Sequence, residues 1–325
     1  MTRYTIALLS LLIALMPLGA TRADDLDTIR ALIGEPRVKI EHRKDLVPSA
    51  DAAKPPRQRD SWTFVAGGVN PTVCYSRYLN RPPDFTGTHL SLVGPDMGVG
   101  FDGGPFAHWY RGNAIRVLLD GRDLLAAAPA SRMEMREATD GHLRLIWEGE
   151  RARRLTLSFI VPRDGRAVFA RLEVEPGETP VERLEVRLTA YPGGFGPAYN
   201  LPSHRYARTA QGLAEVPPDF RQSGDHPFPV LPLAPGGDWI FYGDRLCTSG
   251  SLALLLNADE QPSGEVKLSN YGVSTSLEYP AHTRRIHLAF FAYSLENTPA
   301  EQAFASELGQ ERAGLKSIPC WPDRQ

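Results

Sequence analysis

One segment concentrates residue types that do chemistry. Gly98 to Gly112 reads Gly-Val-Gly-Phe-Asp-Gly-Gly-Pro-Phe-Ala-His-Trp-Tyr-Arg-Gly. It places Asp102, His108, Trp109, Tyr110 and Arg111 among glycines. Glycine lets the backbone approach a ligand closely. An indole or phenol face stacks on the apolar face of a sugar ring, while charged groups take its hydroxyls. His108 titrates near neutral pH and, with Asp102, forms the candidate acid–base pair. Trp109, Tyr110 and Arg111 are the candidate substrate contacts. The competing reading is structural, with Phe106 and Trp109 in a core and the glycines in turns. The segment is not a phosphate loop, because it lacks the Gly-Lys-Ser/Thr ending.

Two further groups could add polar contacts. Ser203-His204-Arg205-Tyr206, with Arg208, offers His204 and Arg205 as substrate-binding residues. Asp225-His226-Pro227 and Asp238-Trp239 follow. Asp244 and Glu278 fall at or near expected strand ends, where a facing carboxylate pair would suit glycoside chemistry. A histidine in a loop is more often a local hydrogen-bond partner than a catalyst. There is no G-x-S-x-G elbow, no H-E-x-x-H helix, no D-x-D-x-D-G loop and no dinucleotide fingerprint. Serine hydrolase, zinc protease and nicotinamide chemistry are disfavoured, and no cofactor or metal site is expected.

The elements that must position these residues are strands. Leu155–Val161, Val168–Val174 and Leu184–Ala190 alternate apolar and polar residues with period two. Asp120-Gly121, Asp140-Gly141 and Asp164-Gly165 fall between such runs, and Asp-Gly suits tight turns with positive φ. This predicts an antiparallel meander. Residues 44–60 hold Pro48, Pro55, Pro56 and many charges and read as a linker, so the body is expected from Ser61. Residues 192–237, rich in proline and glycine, read as a long excursion. Strands resume at Trp239–Tyr242, Ser251–Asn257, Gly264–Ser269, Val273–Tyr279 and Arg284–Tyr293. One late helix is expected, capped by Thr298, Pro299 and Glu301. Its buried stripe is Ala300, Phe304, Leu308 and Leu315, and Gly314 ends it.

The expected fold is all-β, a large antiparallel β-sandwich with a short N-terminal helix (Leu26, Ile29, Ile33) and one C-terminal helix. The order of features resembles the large twisted sandwich of the galactose-mutarotase-like group. The similarity covers residues 61–294 and rests on strand layout and on segments such as Ile115–Leu125 and Ile286–Tyr293. That group includes domains of many carbohydrate-active enzymes, and its mutarotases use histidines and a glutamate as acid and base. No residue of this chain maps onto those positions, so none is carried over.

The first 23 residues have the layout of a secretory signal peptide. Arg3 precedes an apolar run from Ile6 to Met16, broken by Pro17 and Gly19, and Thr21-Arg22-Ala23 fits a cleavage site before Asp24. The apolar run is too short to span a bilayer. The expectation is a secreted or periplasmic protein, with residues 24–60 as N-terminal helix and linker and 61–325 as the sandwich. Net charge is −2, which gives no electrostatic case for nucleic acid. Of three cysteines, Cys247 and Cys320 are the favoured pair if a disulfide forms, with Cys74 a buried thiol. Two functional readings stand. One is an exported glycan-processing enzyme of hydrolase, lyase or epimerase type with a carbohydrate ligand. The other is a non-catalytic glycan-binding or structural envelope module.

Overall fold

The computed structural model describes residues 37–48, 56–67, 70–78, 90–91, 94–95, 98–102, 110, 114–149, 152–165, 167–178, 180–190, 205–216, 227–244, 251–268, 273–293 and 297–316. The chain divides after Pro36 into two units, and the described residues all belong to the second. The expected N-terminal helix, the cleavage site, Cys247 and Cys320 lie outside the described residues.

In chain order the strands are β1 (Lys39–Val47), β2 (Arg57–Val65), β3 (Thr72–Tyr78), β4 (Leu90–Ser91), β5 (Gly94–Pro95), β6 (Gly98–Asp102), β7 (Ile115–Leu119), β8 (Arg122–Asp123), β9 (Arg132–Glu137), β10 (Gly141–Trp147), β11 (Ala152–Val161), β12 (Ala167–Pro176) and β13 (Leu184–Ala190). They continue with β14 (Arg205–Thr209), β15 (Gly212–Glu215), β16 (Val230–Leu233), β17 (Trp239–Asp244), β18 (Ser251–Leu256), β19 (Ser263–Leu268), β20 (Val273–Tyr279) and β21 (Arg285–Tyr293). A single turn of helix, α1 (Leu124–Ala127), follows β8, and α2 (Asn297–Lys316) follows β21. Among the described residues no helix is long and apolar enough to cross a membrane.

The strands form two large antiparallel sheets. The ten-stranded sheet runs β1-β2-β3-β6-β7-β13-β20-β19-β16, with β8 paired to β7. The nine-stranded sheet runs β15-β14-β17-β18-β21-β12-β11-β10-β9. Period-two patterning sends one side of each strand into a shared core. In β20, for example, Val273, Thr275, Leu277 and Tyr279 are buried while Ser274 and Glu278 are exposed. The two inner faces meet at aromatic contacts: Phe101 of β6 lies edge-on to Phe290 of β21 at 5.2 Å and to Phe159 of β11 at 6.1 Å. β18 breaks the alternation, with all six residues buried. Its outward face is covered by α2, whose Ala300, Phe304 and Leu315 join Phe241, Leu255 and Phe291 in a second apolar cluster.

Three expectations need correction. The segment read as a linker is the edge of the ten-stranded sheet. β1 and β2 pair along their whole length, from Lys39 opposite Val65 to Val47 opposite Arg57. Charged residues on β1 hid its pattern, and charge on an edge strand guards against pairing with other chains. The long excursion contains β14, β15 and β16, which are short and interrupted by proline and glycine. The late helix starts at Asn297 and passes through Gly314 to Lys316. Glu301 ion-pairs with Arg208 of β14, so its carboxylate serves to dock the helix.

The Asp-Gly turns differ among themselves. Asp120 and Gly121 both have positive φ, 49° and 81°, as a tight turn between β7 and β8 requires. Gly165 has φ 66° and closes a turn onto Pro162. Gly141 instead begins β10, opposite Glu137 and Val161. A Cβ there would come within 2.5 Å of the Phe64 ring and 2.8 Å of Val38. Gly141→Val should therefore destabilise by about 1–3 kcal/mol through overpacking. Chemical denaturation checks this, and a loss of a few tenths would mean that β1 and β2 yield freely.

Candidate functional site

The outward face of the ten-stranded sheet carries a dense array of described polar side chains. Because Val73, Val99, Phe101, Val117, Val186 and Leu277 point into the core, their strand neighbours point out. On β2, β3 and β6 these are Arg59, Cys74, Gly98, Gly100 and Asp102. On β7, β13 and β20 they are Arg116, Glu185, Arg187, Ser276 and Glu278.

Register places the groups beside one another. Cys74 lies opposite Ser61 on one side and Gly100 on the other. Arg59 reaches across β3 to Asp102, Nη2 to Oδ2 at 3.0 Å, and donates to Cys74 Sγ at 3.3 Å. Burial raises the Cys74 thiol above its ordinary value, and the Arg59 guanidinium offsets this only in part. The thiol is therefore protonated at neutral pH and accepts rather than attacks.

The second group is centred on β13. Glu185, 2% exposed, accepts from Arg187 Nε and, at 3.1 Å, from Arg187 Nη2. Glu278 faces it across the strand pair and ion-pairs with Arg183, which also stands 3.6 Å from Glu185. Arg116 lies opposite Arg187 and is held by Asp123 at 2.7 Å, the same carboxylate that caps α1. Each guanidinium thus has a carboxylate, which makes crowded charge tolerable on a sheet face.

Between the two groups runs β6, whose outward positions Gly98 and Gly100 carry no side chain. The strip lies between β3 and β7, about 10 Å apart at two strand spacings. Gly98 has φ 139°, a conformation that side chains rarely adopt. Gly98 and Gly100 are themselves buried, so what reaches solvent on this face is the rim of paired donors and acceptors around them. Asp102 (39% exposed) and Glu278 (47% exposed) are its accessible carboxylates. No group of three metal-ligating side chains occurs among the described residues.

Of the residues singled out in the sequence, Asp102 and Glu278 lie on this face. Tyr110 is wholly buried between the sheets, against Phe290 at 5.2 Å and Tyr242 at 6.2 Å, and burial holds its hydroxyl well above the ordinary tyrosine value. Arg205 begins β14 opposite Asp244, in the other sheet from Asp102. His108, Trp109, Arg111 and His204 lie outside the described residues. Arg59, Arg116, Glu185 and Arg187 were missed. Their alternation in strands was visible, but alternating charge signals only a solvent side, and the cross-strand partners are far apart in sequence.

No family model and no curated protein matches the sequence. Solved structures do. The α-N-acetylgalactosaminidase NagBb from Bifidobacterium bifidum, as a quadruple mutant, is similar with a TM-score of 0.51 at 9% identity, over 77% of this chain and 39% of that one. The ligand-free form of that enzyme gives 0.50 at 10% identity, over 76% and 38%. A putative aldose 1-epimerase from Klebsiella pneumoniae gives 0.48 at 9% identity, over 85% and 89%. The chain thus spans about two fifths of the length of the glycosidase. The likeness is one of fold alone. The two stacked sheets are the galactose-mutarotase-like sandwich that the strand layout resembles.

Proposed function

We propose that this protein binds carbohydrate on the outward face of its ten-stranded sheet, as an exported glycan-processing or glycan-binding protein. The observation that carries this reading is the set of guanidinium–carboxylate pairs on this face, Arg59–Asp102, Arg116–Asp123, Arg187–Glu185 and Arg183–Glu278, of which Asp102 and Glu278 present exposed carboxylates. Sugar hydroxyls are met by guanidinium donors and carboxylate acceptors at fixed spacing. The fold is compatible, because it is shared with part of a glycosidase, although fold does not fix function. The apolar run before Ala23 supports a secreted or periplasmic location.

Whether the site turns over its ligand is a separate matter. Among the described residues each carboxylate on this face is engaged by an arginine. A carboxylate oxygen held by a guanidinium is already engaged as an acceptor and is less available to a reacting group. This favours binding without catalysis over hydrolase, lyase or epimerase chemistry.

A thermal-shift and calorimetric screen of neutral and acidic mono- and oligosaccharides tests the site. A binding sugar is expected to raise the melting temperature in a saturable way. Arg187→Gln should weaken its binding about 10- to 100-fold, the worth of a hydrogen bond to a charged group. Asp102→Asn, at an exposed carboxylate of the face, should weaken it to a similar degree. A sugar that binds both variants as it binds the native protein would place the site elsewhere.

A further inference from the structure

The nine-stranded sheet carries a second polar surface. While α2 packs over β17, β18 and β21, the outward face of β9 to β12 is polar. One cross-strand row runs His287, Arg171, Ser158, Arg144, Glu134, each directly opposite the next. At its centre Ser158 is 1% and Arg171 4% exposed. Arg171 Nη2 donates to Glu173 at 3.0 Å, and Arg144 Nη1 to Glu134 at 3.3 Å. Among the described residues, however, Ser158 Oγ, Arg171 Nε and Arg154 Nε are buried and have no hydrogen-bond partner. Buried donors without acceptors are costly, and charged ones most of all.

The surroundings carry both signs, with Arg132, Arg144, Arg154, Arg171 and Arg285 beside Glu134, Glu173 and Glu175. Arg154 approaches Glu175 no closer than 3.9 Å. His142 is buried beside the row. Burial holds its ring below the ordinary histidine value, Asp140 opposes this, and Arg136, Arg144 and Arg171 add to it. The N–H and O–H groups left over after these pairs, Arg171 Nε, Arg154 Nε and Ser158 Oγ, lack an acceptor, which an anion would supply.

We propose that this row is a binding site for an oxyanion, a sulfate, phosphate or carboxylate group seated over Ser158 between Arg171 and Arg144. The anion accepts from Arg171 Nε–H and from the Ser158 hydroxyl, and Arg154 adds a third donor from the same strand as Ser158. Arg144 and Glu173 keep contact with solvent, which gives the anion a way in at the rim. The site lies on the other sheet from the proposed sugar site and does not depend on it.

Isothermal titration of the full chain with sodium sulfate, at ionic strength fixed by sodium chloride, tests this. Saturable binding is expected for the native protein. Ser158→Ala, which changes one atom and preserves the fold, should weaken it about tenfold by removing a donor to a charged acceptor. Arg171→Gln should remove it. A second titration with a sulfated and a uronate disaccharide separates the sources. Tighter binding than sulfate makes the natural ligand an acidic glycan, and equal or weaker binding makes it the free ion. No saturable sulfate binding, or equal binding by Ser158→Ala, would overturn the proposal.

Discussion

Replacing Asp60 with Ala is expected to lower the unfolding free energy by about 3–5 kcal/mol. Asp60 sits on β2 with no solvent exposure, facing inward near the edge of the ten-stranded sheet. Its Oδ1 stands 2.9 Å from His42 Nε2, and its Oδ2 accepts from Gln58 at 3.0 Å and from Arg77 at 3.1 Å. His42 in turn stacks on Trp62, ring centroids 5.1 Å apart and nearly parallel. One carboxylate therefore ties β1, β2 and β3 together. Truncating it leaves the Arg77 guanidinium, itself mostly buried, without its counter-charge, and that penalty dominates the loss. The double variant Asp60→Leu with Arg77→Met removes both charges and should recover most of the stability, because a buried ion pair replaced by apolar groups is often neutral. Urea denaturation with unchanged slope reads both effects. A loss below about 1 kcal/mol in the single variant would mean that water reaches Arg77 and replaces the carboxylate.

The central strands were the legible part of the fold. β11, β12 and β13 show strict alternation because one face of each meets the core and the other meets solvent or charge. α2 was legible because its apolar stripe at Ala300, Phe304, Leu308 and Leu315 follows helical spacing. β1 was illegible for the opposite reason. The residues that follow Ile40 on its side of the strand are His42 and Lys44, both exposed, so hydrophobic periodicity fades, and what holds the strand is pairing with β2 and the His42–Asp60 contact. Gly141 shows the same limit at a single residue. The Asp-Gly pair signals a turn, yet the glycine is required by Phe64 and Val38, which approach from β2 and from the start of β1.

The candidate site was legible at two residues, Glu278 through its place near a strand end and Asp102 through the glycines around it. Its partner Arg59 lies on another strand, with β3 between them, and nothing in local spacing announces the pair. Glu185 and Glu278 are separated by most of the second half of the chain and meet only through the pairing of β13 with β20. Polar sites on sheet faces are assembled by strand order, and strand order here is non-sequential. The glycines at 98 and 100 acquire meaning only once their neighbours on either side are known.

The packing beneath β6 carries the other large expected effect. Phe290→Ala should cost about 3–5 kcal/mol. Phe290 comes from β21 in the nine-stranded sheet and is wholly buried. Its ring meets Phe101 of β6 at 5.2 Å and 65°, and Tyr110 at 5.2 Å and 79°, both edge-on. Phe101 in turn meets Phe159 at 6.1 Å. Edge-to-face pairs of this kind are worth about 0.5–1.5 kcal/mol each beyond the area they bury. The alanine variant loses both, and it leaves a cavity that Val168 and Leu254, its neighbours on β12 and β18, are fixed by backbone pairing and unable to fill. Phe290→Leu keeps most of the volume and should cost clearly less. The location gives the test a second readout. Phe101 lies between Gly100 and Asp102 in β6, so a cavity beneath it loosens the strip on the outward face. A sugar that binds that face should bind the alanine variant more weakly at a temperature where the variant remains folded. If the unfolding free energy falls by less than about 1 kcal/mol, the aromatic contacts do not join the two sheets in the way described.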